Sequence, residues 1–198
     1  MSVAYPPSYQ RILHSAREEI FANGIIGMRV SAVAKSAQTS IPLISKYFVD
    51  REGLLTEVLG QLYSEFVGED IDQAKKWLVK NNGKALKGPE IIGLFPYPFG
   101  KHIRERRIWI ARIVVASLEM DKLNIKLSEI QSQADRDFDA VISEVHSLIC
   151  DRDHFSPKVM RAVFRSLSFG QIFSEFNYDQ KLNKKEWQEF IILLLSTT

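Results

Sequence analysis

Apolar residues recur at three- and four-residue spacing along most of this chain, the signature of amphipathic helices. Ile12, Leu13, Ala16, Ile20 and Phe21 give a buried stripe to a first helix over residues 9–23, which Pro6-Pro7-Ser8 stops and then caps. Val30, Val33, Ala34 and Ala37 share one face of a short second helix. Thr39-Ser40 breaks that pattern and offers hydroxyls to cap a third helix, with Pro42 in its first turn, where a missing N–H is tolerated. Ile41, Ile44 and Phe48 are expected to point inward, leaving Leu43, Ser45, Lys46 and Tyr47 outside. A longer helix starts near Arg51 and continues through Leu54, Leu55, Val58, Leu59, Leu62 and Phe66, and a further amphipathic segment covers residues 69–80.

Asn81-Asn82-Gly83 and Lys87-Gly88-Pro89 interrupt the periodicity, with a short helix expected over residues 90–94. Phe95-Pro96-Tyr97-Pro98-Phe99-Gly100 reads either as a packed connector or as the wall of a ligand site. Residues 104–120 are apolar nearly all round, which predicts a buried helix. Residues 123–150 form a long amphipathic helix, Ser156-Pro157 starts the next one, and two amphipathic helices over 157–177 and 184–196 end the chain. No strand alternation, repeat or low-complexity segment interrupts this all-α pattern.

Two short helices joined by a small-residue turn, the second presenting a small, basic and aromatic outer face, form a helix-turn-helix layout over residues 29–48. Around it lie Ile12-Leu13, Ala16, Phe21 and Gly24, then Val30, Val33-Ala34 and Ala37, then Tyr47-Phe48 and Arg51-Glu52-Gly53-Leu54-Leu55. In this ordered set the chain resembles TetR/AcrR-type transcriptional regulators over roughly its first 60 residues. Three departures stand out: Gln38 occupies the turn position that is usually Gly, Ser45 replaces a Tyr that usually contacts phosphate, and Arg51 stands for Lys at the start of the fourth helix. Met28-Arg29 also opens the second helix where Thr is common. A left-handed conformation at Gln38 would carry a steric cost, so a differently shaped turn is one expectation.

The resemblance implies a helix-turn-helix DNA-binding domain over residues 1–55 and a helical ligand-binding and dimerisation domain over 56–198. It places Arg29, Thr39, Ser40, Pro42, Leu43, Ser45, Lys46, Tyr47 and Arg51 at the DNA. Lys46, Tyr47 and Arg51 would contact phosphates, Ser40 and Ser45 phosphates or base edges, and Pro42 and Leu43 thymine methyl groups. The two last helices would pair with those of a second copy in a homodimer. The implied partners are double-stranded operator DNA and a small-molecule effector, without a cofactor.

Charge adds a little to this picture. The net charge is +2, and residues 1–55 hold all of it, with six Lys and Arg against four acids, as suits a mildly basic DNA-binding module. The 45% hydrophobic content, with 12 Phe and 3 Trp, supports a sizeable core. Cys150 is the only cysteine, so no intrachain disulfide forms, which fits a reducing compartment. With neither a signal pattern nor an apolar run of about 18 residues, a cytoplasmic protein without a membrane span is expected.

Other chemistry finds little support. Cys150 reads as a structural thiol at an apolar helix end. Asp135-x-Asp137-x-Asp139 lacks the Gly and the terminal Glu of a calcium loop, so a solvated helix face is expected and no metal site. His102 with Glu105, and Asp153-His154, are too few ligands for a metal. Neither a phosphate-binding Gly loop nor Gly-x-Ser-x-Gly is present, which argues against an enzyme. Ligand anchors are placed at Trp109, Arg112 and His102; Arg112, amid apolar neighbours, would pair with Glu119, Asp139 or the ligand itself. The resulting expectation is a repressor released from its operator by a small molecule. The alternative, motivated by Ser45 and Gln38, is a ligand-binding helical dimer whose DNA head lacks sequence-specific recognition.

Overall fold

The computed structural model describes residues 6–81, 100–148, 156–170, 172 and 183–196. These form eight helices and no strand: α1 Pro7–Gly27, α2 Val30–Ser36, α3 Ile41–Phe48, α4 Arg51–Asn81, α5 Lys101–Ser117, α6 Asp121–Leu148, α7 Pro157–Gly170 and α8 Lys184–Ser196. The expectations for residues 90–94, for Phe95–Phe99 and for Cys150 lie outside the described residues.

The chain divides into two compact units, residues 1–65 with 113–130 and residues 66–112 with 131–198. Neither is a continuous stretch of sequence, so compactness does not follow the expected division at residue 55. In the first unit, Ile12, Ile20, Ile44, Leu54, Leu59 and Leu62 are fully buried, and Ile113 and Leu123 join them from the end of α5 and the start of α6. Each such side chain contributes on the order of 1.5–3 kcal/mol by leaving water. Lys126 in α6 pairs with Glu57 in α4, its methylenes lying close over Gly60. Lys122 faces Asp50 at 3.8 Å.

Local chemistry explains the helix ends. Pro7 opens α1 at a position where no N–H is needed, and no side chain caps it. Ser8 is therefore no cap; its hydroxyl lies 3.0 Å from the Tyr47 hydroxyl instead. At the other end α1 extends past the expected residue 23 across a kink at Gly24, whose φ of 76° and ψ of 170° suit glycine. Phe21, expected in the buried stripe, is exposed on the far side of α1 and carries the Arg17 guanidinium 5.5 Å above its ring. Helix α4 runs unbroken through Gly68, so the two segments expected over 51–66 and 69–80 are one helix.

In the second unit, buried Leu78, Val141, Ile142, Val145, Met160 and Trp187 supply apolar packing. Helix α5 is not the apolar rod its composition suggested. Arg106 is only 6% exposed, yet Val115 and Leu118 are largely exposed near the helix end. Arg106 is tolerable inside because Glu69 and Asp70 meet its two terminal nitrogens at 2.7 and 2.6 Å. Burial alone would lower the guanidinium pKa, but these two carboxylates outweigh it and hold it above its ordinary value.

The acidic run on α6 is an ion-pair ladder. Asp135 receives Arg161 and Arg165, Asp139 receives Arg161 at 2.6 Å, and Asp137 receives Lys75 at 3.3 Å. Among the described residues no group of three or more His, Cys, Asp or Glu could hold a metal ion. Ser156 caps α7 through Val159 N–H at 3.3 Å. Asn183 and Glu186 cap α8 reciprocally, a capping box.

Candidate nucleic-acid interface

The turn between α2 and α3 keeps the left-handed form. Gln38 has φ 51°, Thr39 N–H donates to Ala34 C=O at 3.0 Å, and Gln38 N–H donates to Lys35 C=O at 3.3 Å. These two bonds form a Schellman closure, which satisfies the orphan carbonyls of α2 and outweighs the steric cost at Gln38. The expectation of a differently shaped turn is thus corrected: Gln38 accepts the conformation usual for glycine. Ser40 then caps α3, accepting from Leu43 N–H at 3.3 Å, as its position suggested.

Ile44 and Phe48 of α3 are buried, four residues apart on one face. Ile41 was expected to join them but is 47% exposed, because it lies in the first turn beyond the reach of the core. Arg29, Ser40, Pro42, Ser45 and Lys46 are exposed, while Thr39, Leu43 and Tyr47 are half-buried. Ser45 and Lys46 therefore present a small hydroxyl and an ammonium side by side, beside the apolar edge of Ile41 and Pro42.

Tyr47 has a second occupation. Its ring meets Tyr9 edge-on at 5.6 Å, Tyr9 stacks on Phe48 at 4.9 Å, and the Tyr47 hydroxyl pairs with Ser8. Together they tie the first turn of α1 to the end of α3.

The corner after α3 is strained. Val49 has φ 69° and ψ −61°, and Asp50 N–H donates to Phe48 C=O at 2.8 Å, which makes a γ-turn of the rarer, positive-φ sense. A β-branched residue at positive φ is a true outlier. Asp50 Oδ1 accepts from Gly53 N–H at 2.7 Å and caps α4. A Cβ on Gly53 would lie 1.9 Å from the Phe48 carbonyl oxygen, so the close return of the chain requires glycine here. Arg51 points away from solvent contacts along the corner: its Nε donates to Met28 C=O at 3.1 Å and its Nη2 to Ile25 and Ile26 C=O, both at 2.9 Å. Sequence reasoning missed this occupation, because the acceptors are backbone atoms more than twenty positions away.

Of the expected ligand anchors, Trp109 and Arg112 do come together. The Arg112 guanidinium lies 4.9 Å from the Trp109 ring centroid. Arg112 is exposed, so it does not need the buried acid anticipated for it, and Asp139 is held by Arg161. His102 lies in α5, its side chain outside the described residues. The buried Arg106 was not anticipated. Its signal, Glu69-Asp70 in α4, is an ordinary acidic pair in sequence.

The family model for bacterial regulatory proteins of the tetR family matches residues 12–58, which span α1 to the first turns of α4. Over this stretch the chain belongs to the TetR family. No curated protein matches the sequence. Solved structures match nearly the whole fold. FadR from Bacillus subtilis, in complex with stearoyl-CoA, is 22% identical with a TM-score of 0.55, covering 96% of this chain and 98% of that one. The multidrug binding protein EbrR, complexed with proflavin, is 17% identical with a TM-score of 0.60 over 96% and 98%. PfmR from Thermus thermophilus, a TetR-family transcriptional regulator, is 15% identical with a TM-score of 0.52 over 94% and 97%. At such identities the likeness speaks for the fold alone. The family match makes this chain a transcriptional regulator with a DNA-binding helix-turn-helix rather than an enzyme. No described helix is long and apolar enough to cross a membrane.

Proposed function

We propose that this TetR-family chain is a homodimeric, cytoplasmic repressor that binds a palindromic operator and is released by a small molecule. The observation that carries the reading is α3 itself. It is capped by Ser40, follows a left-handed Gln38 turn of the usual form, and presents Leu43, Ser45 and Lys46 on its outer side. In this reading Lys46 and Arg29 neutralise phosphates. Ser40 and Ser45 reach phosphates or base edges, and Pro42 and Leu43 meet thymine methyl groups. Thr39 and Tyr47, half-buried, flank that surface. The retained turn removes one of the two grounds for a head without sequence-specific recognition; Ser45 remains the other.

Dimerisation is supported by exposed apolar side chains on the last two helices, Val159 and Val163 on α7 and Phe190 and Leu193 on α8. A two-fold pair of heads would read two half-sites separated by about one turn of DNA or a multiple of it. The effector reading rests on the Trp109–Arg112 pair, a flat aromatic face under a cation, and on the fold shared with proteins solved with stearoyl-CoA and proflavin. An effector releases DNA only to the extent that it binds the two conformations with different affinity, and operator DNA then weakens effector binding by the same factor.

The test is selection of bound sites from random duplex DNA. A recovered palindrome with paired half-sites supports the reading, and Leu43→Ala should then change preference at particular base pairs. Salt-dependent binding without any recovered motif sinks it in favour of a head lacking specific recognition.

A further inference from the structure

We infer that Arg51 is a positioning residue, a clasp that closes the helix-turn-helix, and not a DNA phosphate contact. The inference deepens the DNA-binding reading above and rests on it. Its basis is where Arg51 lies and what it holds. Gly24 breaks α1, so Ile25 to Gly27 form a separate last turn whose carbonyls no longer continue a regular ladder. These oxygens carry the negative end of the α1 dipole. Arg51 supplies the matching charge and donors, with three hydrogen bonds to Ile25, Ile26 and Met28 C=O at 2.9–3.1 Å.

The acceptors lie immediately before α2, and Arg51 lies immediately after α3. The bonds therefore join the two ends of the segment that contains both helices of the DNA-binding motif. Rotation of α3 relative to α1 would break them. Phe48, Val49 and Gly53 bring the chain back to the clasp through a corner that has little freedom of its own.

The departure from lysine acquires a physical meaning here. Arginine carries an Nε donor close to its stem and a planar fork beyond it, so one side chain reaches Met28 and Ile25–Ile26 together. A lysine has a single ammonium and cannot donate from two places along its length. A guanidinium engaged with three carbonyl oxygens is also oriented by them, away from free rotation toward a phosphate.

The experiment measures binding of a fluorescein-labelled mixed-sequence duplex by anisotropy across a salt series, with hydrogen exchange of the amides of residues 24–30. Lys46→Ala serves as the phosphate-contact control and should lower the slope of log affinity against log salt by about 0.9. Arg51→Ala should leave that slope at the parent value, weaken binding on the order of tenfold at fixed salt, and speed exchange at the corner. Arg51→Lys, which keeps the charge, should resemble Arg51→Ala.

A slope lower by about 0.9 in Arg51→Ala, restored in Arg51→Lys, with unchanged exchange at residues 24–30, overturns the clasp. If Arg51→Ala does not fold, Arg51→Lys decides alone: parent-like affinity and exchange refute the clasp, and loss of both supports it. A parent protein that binds no duplex at any salt defeats the DNA-binding reading instead, and the exchange experiment then still tests the clasp.

Discussion

Replacing Gly53 with alanine places a methyl carbon 1.9 Å from the Phe48 carbonyl oxygen and 3.1 Å from its carbon. Real Cβ atoms essentially never come closer than 3.0 Å to such an atom, so the γ-turn at Val49 or the first turn of α4 must move by roughly 1 Å. The obstacle is backbone and cannot swing aside as a side-chain tip would. Overpacking of this kind costs about 1–3 kcal/mol. Against it stands the ordinary benefit of alanine over glycine in a helix, about 0.5–1 kcal/mol. The steric term wins, so a substitution that normally stabilises a helix should here destabilise the protein.

Gly68 supplies the control within the same helix, because nothing lies within 4 Å of a Cβ built there. Gly68→Ala should raise the urea midpoint, followed by circular dichroism at helix wavelengths, while Gly53→Ala lowers it. Because the corner sets the pitch of α3, Gly53→Ala should also weaken DNA binding measured well below its unfolding midpoint. Gly53→Ala with a midpoint equal to or above that of the parent, beside a stabilised Gly68→Ala, would refute the close approach of Phe48 to Gly53.

Gln38→Gly should stabilise the protein by about 0.5–1 kcal/mol in the same urea assay, since the residue is exposed and holds φ 51°; no gain would mean that the turn relaxes when the side chain is present. Asp135→Asn should destabilise the protein at neutral pH by an amount that shrinks in acid. Burial pushes the Asp135 carboxyl up, but hydrogen bonds from Gln131 and Arg165 and the charges of Arg165 and Arg161 outweigh it and leave the group below its ordinary value. A depressed carboxyl contributes stability above its unfolded pKa, about 3.9, and loses it as pH falls through the folded value. Parent and variant midpoints should therefore converge below about pH 4, and a constant gap would exclude the charge as its source. Phe190→Glu should shift the sedimentation coefficient from dimer toward monomer at micromolar protein, since it sets a charge in the apolar face of α8; an unchanged dimer would place the interface elsewhere.

Periodicity alone determined the helical character of every described element, because a repeat near 3.6 needs no partner to be recognised. It placed α2, α3 and α8 within a residue or two of their observed ends, and Ser40 and Ser156 show that capping chemistry is local enough to read directly. The helix-turn-helix was legible for the same reason: its spacing, turn and outer face all lie within about twenty residues. Gly53 also left a trace, as a glycine inside a strong helix pattern, although the pattern does not reveal which atom approaches it.

Only the tertiary structure decided what depends on distant partners. Arg106 is buried because Glu69 and Asp70, more than thirty positions earlier, meet it; composition alone had made α5 an apolar rod. Arg112, the charge expected to need a buried acid, is exposed over Trp109. Arg51 reads as a free cation in sequence, and its three carbonyl acceptors exist only once Gly24 has bent α1 and the corner at Val49 has brought the chain back. Residues 113–130 join the unit of the DNA-binding motif although they lie more than sixty positions beyond it. Local propensity acts over one helical turn, whereas burial, ion pairing and backbone strain are settled by whatever the folded chain brings alongside, and no periodicity records that.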